Sequence, residues 1–407
     1  MPANLPPRPV AAPAPAAETF AVSLPGTSVL QAAPSTASAP GALPSEQPLR
    51  VAVLLPLRSD TLGPAAAALR AGLLAAWERD RDNLTLEVID SGELTQDVLS
   101  SYAAASNRYD LLIGPLSRAA VAAVADSALV LKPTIALNTP EAQNGPLPPL
   151  MLAIGLSIEE EARQAALWAA RQHPHGRALV LATGTAWQRR VAYAFAEQWQ
   201  HDQLHASVLE LGAQNGYLSD PELVRLRARI QSDPPTLIFA ALGADQTRQL
   251  RIALLNVLPE MADDGALPDT APATGTLSGE QALTQASILP IYGTSALNPG
   301  SDGVSSRVLD GVRLLDLPWQ LQRDHPAVMV YPRPPAAGGA DLQRLYALGI
   351  DAYRITREIA RQPVTRFHLD GVTGRLTIRF GDGPASFERL EQAARYLNGV
   401  AQPVPIP

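Results

Sequence analysis

From Leu49 onward, short runs of leucine and β-branched residues alternate with alanine-rich stretches whose apolar positions recur at helical spacing. Residues 50–56 (RVAVLLP) predict a buried strand, 64–79 a helix, 84–90 a strand, 96–107 a helix, 110–114 a strand, 117–127 a helix and 133–138 a fourth strand. Strands each followed by a helix or loop predict a parallel sheet with right-handed crossovers. Their near-continuous apolar character predicts a sheet covered on both faces. After an extended stretch at 146–153 the alternation repeats. Helices are expected at 157–171, 186–200, 221–231 and 244–255, and strands at 177–182, 205–211, 236–241 and 288–293. Ser157, with Glu160 three residues on, has the spacing of a capping box.

Two α/β units of similar size, joined by extended segments, predict two lobes around a cleft. Ligands of such open sheets sit at the carboxyl ends of the strands. The expected division is 49–153 plus 319–369 for the first lobe and 154–318 plus 370–400 for the second. Residues 260–285, polar, acidic and rich in Gly, Pro and Thr, read as a flexible insertion in the second. Residues 1–48 are roughly half alanine and proline. Such a segment cannot bury enough surface to offset its ordering entropy, so a disordered tether is expected.

Composition narrows the function. The 407 residues are 46% apolar and 17% charged, enough for a sizeable core. A net charge of −7 argues against nucleic acid as a partner, which would call for a basic face. The absence of cysteine excludes disulfides, thiolate metal sites and a cysteine nucleophile. No apolar run is long enough to span a bilayer, and residues 1–4 do not begin a signal peptide.

The candidate chemistry is sparse. Gly114-Pro115-Leu116-Ser117 joins a strand end to a helix start, where free amides and the helix dipole favour an anion. Ser117, Arg118, Asn138 and Thr139 could hold a carboxylate there. Equally, Ser117 could simply cap its helix and Asn138 start a turn. Thr183, Thr294 and Ser295 follow strands of the second unit and are further cleft candidates. His201 and His205 are four apart, as in zinc proteases, but they straddle a predicted helix end, and solvated polar residues are the default. No nucleophile elbow, phosphate loop or dinucleotide fingerprint occurs. The acidic residues sit mostly on helix faces beside arginines, as in Glu159-Glu160-Glu161 with Arg163. No catalytic residue, metal site or cofactor is expected.

Five stretches carry a resemblance: Val51–Leu57 (VAVLLPL), Tyr109–Ser117 (YDLLIGPLS), Asp316–Trp319 (DLPW), Leu345–Tyr353 (LYALGIDAY) and Asp370–Leu376 (DGVTGRL). In order and wording they resemble the penicillin-binding protein activator family, of the LppC or LpoA type. The motif residues are Gly114, Pro115, Pro318, Trp319, Asp351, Tyr353, Gly371 and Gly374. The resemblance implies a two-lobed type I periplasmic-binding-protein fold used for protein contact. It implies a non-enzymatic regulator that activates a bifunctional peptidoglycan synthase, a class A penicillin-binding protein. It also implies a periplasmic location, tethered to the outer membrane through a leader or lipidated cysteine absent from this chain. The alternative on the same fold is a solute receptor for an amino acid or similar small polar ligand.

Overall fold

The computed structural model describes residues 47–140, 145–255, 289–300, 304–334, 338–363 and 365–405. The expected tether up to residue 46 and the expected insertion at 260–285 lie outside the described residues. The first lobe is built from β1 (Leu49–Leu55), α1 (Gly63–Arg79), β2 (Leu84–Asp90), α2 (Thr95–Ser106), β3 (Leu111–Ile113), α3 (Arg118–Ala125), β4 (Thr134–Ala136) and β5 (Met151–Ala153). Its sheet runs β2-β1-β3-β4-β5 with every pair parallel. Alternation along β1 sends Val51, Val53 and Leu55 into one apolar layer and Ala52 and Leu54 into the other. That explains the unbroken apolar run.

The second lobe follows with α4 (Ile158–Gln172), β6 (Arg177–Thr183), α5 (Ala186–His201), β7 (His205–Leu211), a small hairpin of β8 (Ala213–Gln214) and β9 (Tyr217–Leu218), α6 (Asp220–Ser232), β10 (Leu237–Ala240), α7 (Ala244–Leu255), β11 (Ile291–Gly293) and β12 (Arg313–Asp316). The chain then makes α8 (Pro318–Leu321), α9 (Pro326–Met329) and the long α10 (Gly339–Arg361). An antiparallel sheet of β13 (Thr365–Asp370), β14 (Arg375–Phe380) and β15 (Ser386–Leu390) comes next, before β16 (Gln392–Leu397) and β17 (Val400–Pro403).

The second sheet has the order β17-β16-β12-β11-β10-β6-β7. It is parallel from β12 to β7, and β16 and β17 add antiparallel strands at one edge. The turn between them is Asn398-Gly399, with φ of +55° and +78°. Positive φ at both positions matches the twist of a two-residue hairpin. Helices α4 and α5 cover one face of this sheet, and α6 and α7 cover the other.

Residues 370–400 do not travel together, as the sequence division had them. Leu376, Ile378 and Phe380 join the first lobe's core beside Tyr346 and Ile350, whereas β16 and β17 extend the second lobe's sheet. Strict alternation at 375–380 (RLTIRF) makes a one-faced sheet, and its apolar face closes on α10 rather than on the second lobe. The hand-over therefore falls at Glu391.

Helix α10 lies against α1 with main chains touching. A β-carbon on Gly72 would sit 1.9 Å from the Tyr346 carbonyl oxygen, and one on Gly349 would sit 2.1 Å from that of Leu69. Only glycine permits this approach. It is the physical reason for the glycine inside Ala347-Leu348-Gly349-Ile350-Asp351.

Candidate functional site

Helix α10 carries two buried charged side chains, one fastening the β13–β14 turn to the helix within the first lobe and one reaching the second lobe. The first is Asp351. Its carboxylate accepts hydrogen bonds from the Val372 amide at 3.2 Å, the Thr373 amide at 2.8 Å and the Thr373 hydroxyl at 2.8 Å. Arg354, one turn on, pairs with it at 3.1 Å. The turn between β13 and β14 is thus held by a carboxylate, and Gly371 is required because a β-carbon would lie 2.6 Å from Asp351 Oδ2. Gly374 has φ of +140°, and its missing side chain admits the Leu390 carbonyl. The Trp319 amide donates to the Val372 carbonyl at 2.9 Å, so the DLPW and DGVTGRL segments are joined directly.

The second buried charge is Arg344. Its Nε and one terminal nitrogen donate to Asp316 at 2.9 and 2.8 Å. The same nitrogen reaches the Ser295 and Asn298 carbonyls at 3.0 and 2.8 Å. Burial disfavours the Arg344 cation, yet Asp316 more than compensates and holds its pKa above the usual guanidinium value. Next to this pair, Glu161 of α4 accepts from the Ser295 amide at 2.8 Å and hydroxyl at 3.0 Å. Burial pushes Glu161 up to about 7 against those two hydrogen bonds, and the nearby Asp316 adds to the rise.

Beside this junction lies a cavity of about 1360 Å³, between the first lobe's strand ends, the start of α4 and the β13–β15 sheet. Glu391, which leads from β15 to β16, lines it while being only 4% exposed. Its Oε2 has no hydrogen-bond partner among the described residues. Burial, reinforced by Glu161, raises its carboxyl well above the ordinary range. The adjacent buried Arg389 donates to the Gly155 and Ile154 carbonyls at 2.8 and 2.9 Å and to Thr373 Oγ1 at 3.1 Å, and its charge partly offsets the rise at Glu391. Burial lowers its pKa. At the cavity's rim Glu159 meets Arg190 at 2.7 Å and Arg118 at 3.7 Å. Those arginines outweigh the burial of Glu159 and hold its carboxyl below the usual range.

The seven expected cleft residues do not converge. Arg118 and Thr139 line the cavity. Ser117 caps α3, accepting from the Ala120 amide at 3.1 Å. Asn138 closes a turn, donating to the Leu116 carbonyl at 3.2 Å and accepting from the Thr139 amide at 3.0 Å. Thr183 is buried and donates to Gln188 at 2.6 Å. Ser295 is bound to Glu161, and Thr294 is buried with its hydroxyl unpartnered among the described residues. Of the motif residues, Gly114 at φ +116° lets the chain pass Leu54, whose carbonyl oxygen would lie 2.4 Å from a β-carbon. Pro115 accepts from the Leu137 amide through its carbonyl. Pro318 opens α8, Trp319 donates from its indole to Gln343 at 3.1 Å, and Tyr353 donates to the Asp80 and Arg81 carbonyls. His201 ends α5 and His205 begins β7, so no helix face joins them.

Sequence reasoning missed Glu161, Arg344, Arg389 and Glu391. The available signal was a charge inside an apolar helical stripe, as at Arg344 and Asp351 among leucine, isoleucine and tyrosine.

Two lobes whose sheets are each covered on both faces, joined through a shared hinge, define a protein of the type I periplasmic-binding-protein fold. Solved structures agree. The structure described as the "LpoA (YraM) C-domain from Haemophilus influenzae, a regulator of PBP1A" superposes with a TM-score of 0.64 at 22% identity, covering 88% of this chain and 100% of that one. A "putative branched-chain amino acid ABC transporter" from Chromobacterium violaceum gives the same TM-score at 30% identity, covering 86% and 100%. The family model described as "LppC putative lipoprotein" matches residues 31–215 and 273–390, and the chain belongs to that family. The curated penicillin-binding protein activator LpoA of Vibrio cholerae is 26% identical over 361 residues, which cover 83% of this chain and 55% of that protein. Its counterpart from Pantoea ananatis is 29% identical over 296 residues, covering 66% and 40%. The chain thus spans about half the length of the curated relatives it matches.

Proposed function

We propose that this chain is a non-enzymatic regulator that binds and activates a class A penicillin-binding protein in cell-wall synthesis. We further propose that it acts in the periplasm from an outer-membrane lipid anchor. The observation that carries the reading is the state of the cleft. Ser117, Asn138, Thr183 and Ser295, which a solute receptor would turn toward its ligand, are all bonded within the chain. A fold that keeps two lobes but not a converging ligand shell suits contact between proteins. The curated relatives from Vibrio and Pantoea bear the name of activator, which supports the same direction.

The test is peptidoglycan synthesis by a purified class A synthase from the same organism, with and without this chain. A rise in rate together with co-purification is expected. An unchanged rate with no association overturns the reading.

The solute-receptor reading draws support from the Chromobacterium structure's description. It requires stabilisation by roughly 2.7 kcal/mol at 100 times the dissociation constant. With leucine, isoleucine or valine at millimolar concentration we expect no thermal shift above about one degree, because Ser117 and Asn138, two of the groups that would hold the carboxylate, are already bonded within the chain.

A further inference from the structure

The edge of a sheet presents unpaired backbone groups to any other chain, and proteins ordinarily blunt it with a short strand, a proline or a charge. Three of the four edges of the two parallel sheets are blunted in these ways. β5 is three residues long, β17 ends on Pro403, and β2 has Glu87 at its centre. β7 is different. It runs seven residues in unbroken register with β6 and contains no proline, and among the described residues no strand pairs with its outer side. Its central residue is Val208, 41% exposed.

Helix α5 supplies the surface beside that edge. Arg189 donates to Glu210 at 2.7 and 2.8 Å, so the charge on β7 is balanced within the chain. Because α5 joins two parallel strands, it runs opposite to β7. Four helical residues and two strand residues each advance roughly 6–7 Å. Tyr193, 64% exposed, is therefore level with Val208, and Glu197 with Ala206. Ala206 packs into the apolar layer under α5 and Glu210 meets its arginine, so Val208 between them shares that face. Glu197 is exposed and has no partner among the described residues.

These positions complement themselves about one two-fold axis. Two β7 strands paired antiparallel, with Val208 opposite Val208, set Ala206 opposite Glu210 and Ser207 opposite Leu209. The same axis brings Tyr193 toward its mate. It also sets Glu197 of each copy level with Arg189 of the other, one of whose terminal nitrogens Glu210 leaves unused. On the opposite face the arginines of α6 are held at home, Arg225 by Glu222 and Arg229 by Ser207, both at 2.7 Å. The same operation on β2 would press Glu87 against Glu87.

We propose that this chain forms a two-fold dimer through β7 and α5, which continues the second sheet across the axis. The partner is a second copy of the chain. No residue of β7 lines the cavity, and the proposal does not rest on the regulator reading.

The chain has no cysteine, so single cysteines report the register directly. Residues directly opposite in an antiparallel pair have Cα atoms roughly 4.5–5.5 Å apart, within disulfide reach. Val208→Cys in the full chain, oxidised with diamide, should become mostly covalent dimer. Glu210→Cys, also exposed, lies roughly 14 Å from its mate and should not. Light scattering of the unaltered chain should show the mass rising from one chain toward two by about 100 µM. Val208→Lys, with an unchanged melt, should weaken that association at least about tenfold, because it sets two like charges on the axis. An unaltered chain that stays monomeric at that concentration overturns the proposal. So does a dimer that Val208→Lys leaves intact. Cross-linking of Glu210→Cys as readily as Val208→Cys overturns it too, and that comparison stands even if the lysine variant folds poorly.

Discussion

At the junction, Arg344 meets Asp316 at 2.8 and 2.9 Å and two carbonyls besides, with both side chains buried. At the cavity's rim, Arg190 meets Glu159 at 2.7 Å, but Arg190 is about half exposed. The distances are alike and the environments are not. In the buried pair each charge has lost its water and depends on its partner, so removing one leaves the other uncompensated. In the rim pair solvent screens the attraction and rehydrates whatever is cut loose. The motif segments DLPW, ALGIDAY and DGVTGRL belong to the first environment. Asp316 of DLPW takes part in the joint between lobes, while ALGIDAY and DGVTGRL fasten the β13–β14 turn to α10 within the first lobe.

The sharpest way to break this contrast is Arg344→Leu. It leaves the charge of the fully buried Asp316 with only the hydrogen bonds from Asn298 Nδ2 and the Leu317 amide, and it releases the Ser295 and Asn298 carbonyls. A loss of about 4 kcal/mol in denaturant unfolding is expected. A loss below about 1 kcal/mol would mean that water reaches the junction and that the two regions do not differ in kind.

A smaller effect is expected from pH. The carboxyls of Glu161 and Glu391 are raised in the fold, Glu161 to about 7. A raised carboxyl keeps its proton in the folded state after the unfolded chain has lost it. Stability from these groups is therefore present below the unfolded value and declines as pH rises from about 4.5 toward 7. His173, whose burial lowers its pKa, works in the opposite sense over the upper part of that window. Asp90 and Glu159, held low, lose their contribution only in more acid solution. Comparing Glu391→Gln with the parent cancels the shared groups. The variant should gain about 2–4 °C in melting midpoint over the parent at pH 7.5 relative to pH 5.5. An identical pH profile for the two would show that Glu391 ionises freely in the fold.

Much of the architecture was legible in the sequence. Strands with continuous apolar runs, such as 50–56, have no solvent face to encode, and the alanine-rich helices between them keep helical period. Ser157 was legible as a cap, and it accepts from the Glu160 amide at 3.2 Å. The fate of residues 370–400 was not, because alternation at 375–380 says that one face is buried without saying against what. The site was least legible. Glu161 reads as part of an acidic helix start beside Glu159 and Glu160, yet it is buried while its neighbours meet arginines. Glu391 lies between two strands with no pattern around it, and only the folding of β15 onto the cavity gives it meaning. Asp351 and Arg344 did carry a local signal, as charges within an apolar helical stripe.

The smallest expected effect is at the rim, and it measures the floor of the comparison. Arg190→Ala removes the 2.7 Å contact and leaves Glu159 with Arg118 at 3.7 Å. Glu159 is 15% exposed at the side chain, so it keeps some access to water as well as a second cation. Exposed pairs contribute roughly 0.2–1 kcal/mol, and the remaining arginine should hold the loss within that range. The double variant with Arg118→Ala leaves Glu159 with neither arginine. If the rim is solvated, the two losses add to within about 0.5 kcal/mol. If instead the double variant loses about 3 kcal/mol or more, Glu159 is a buried anion like Asp316. The rim would then belong with the junction, and the two lobes would be locked at both places.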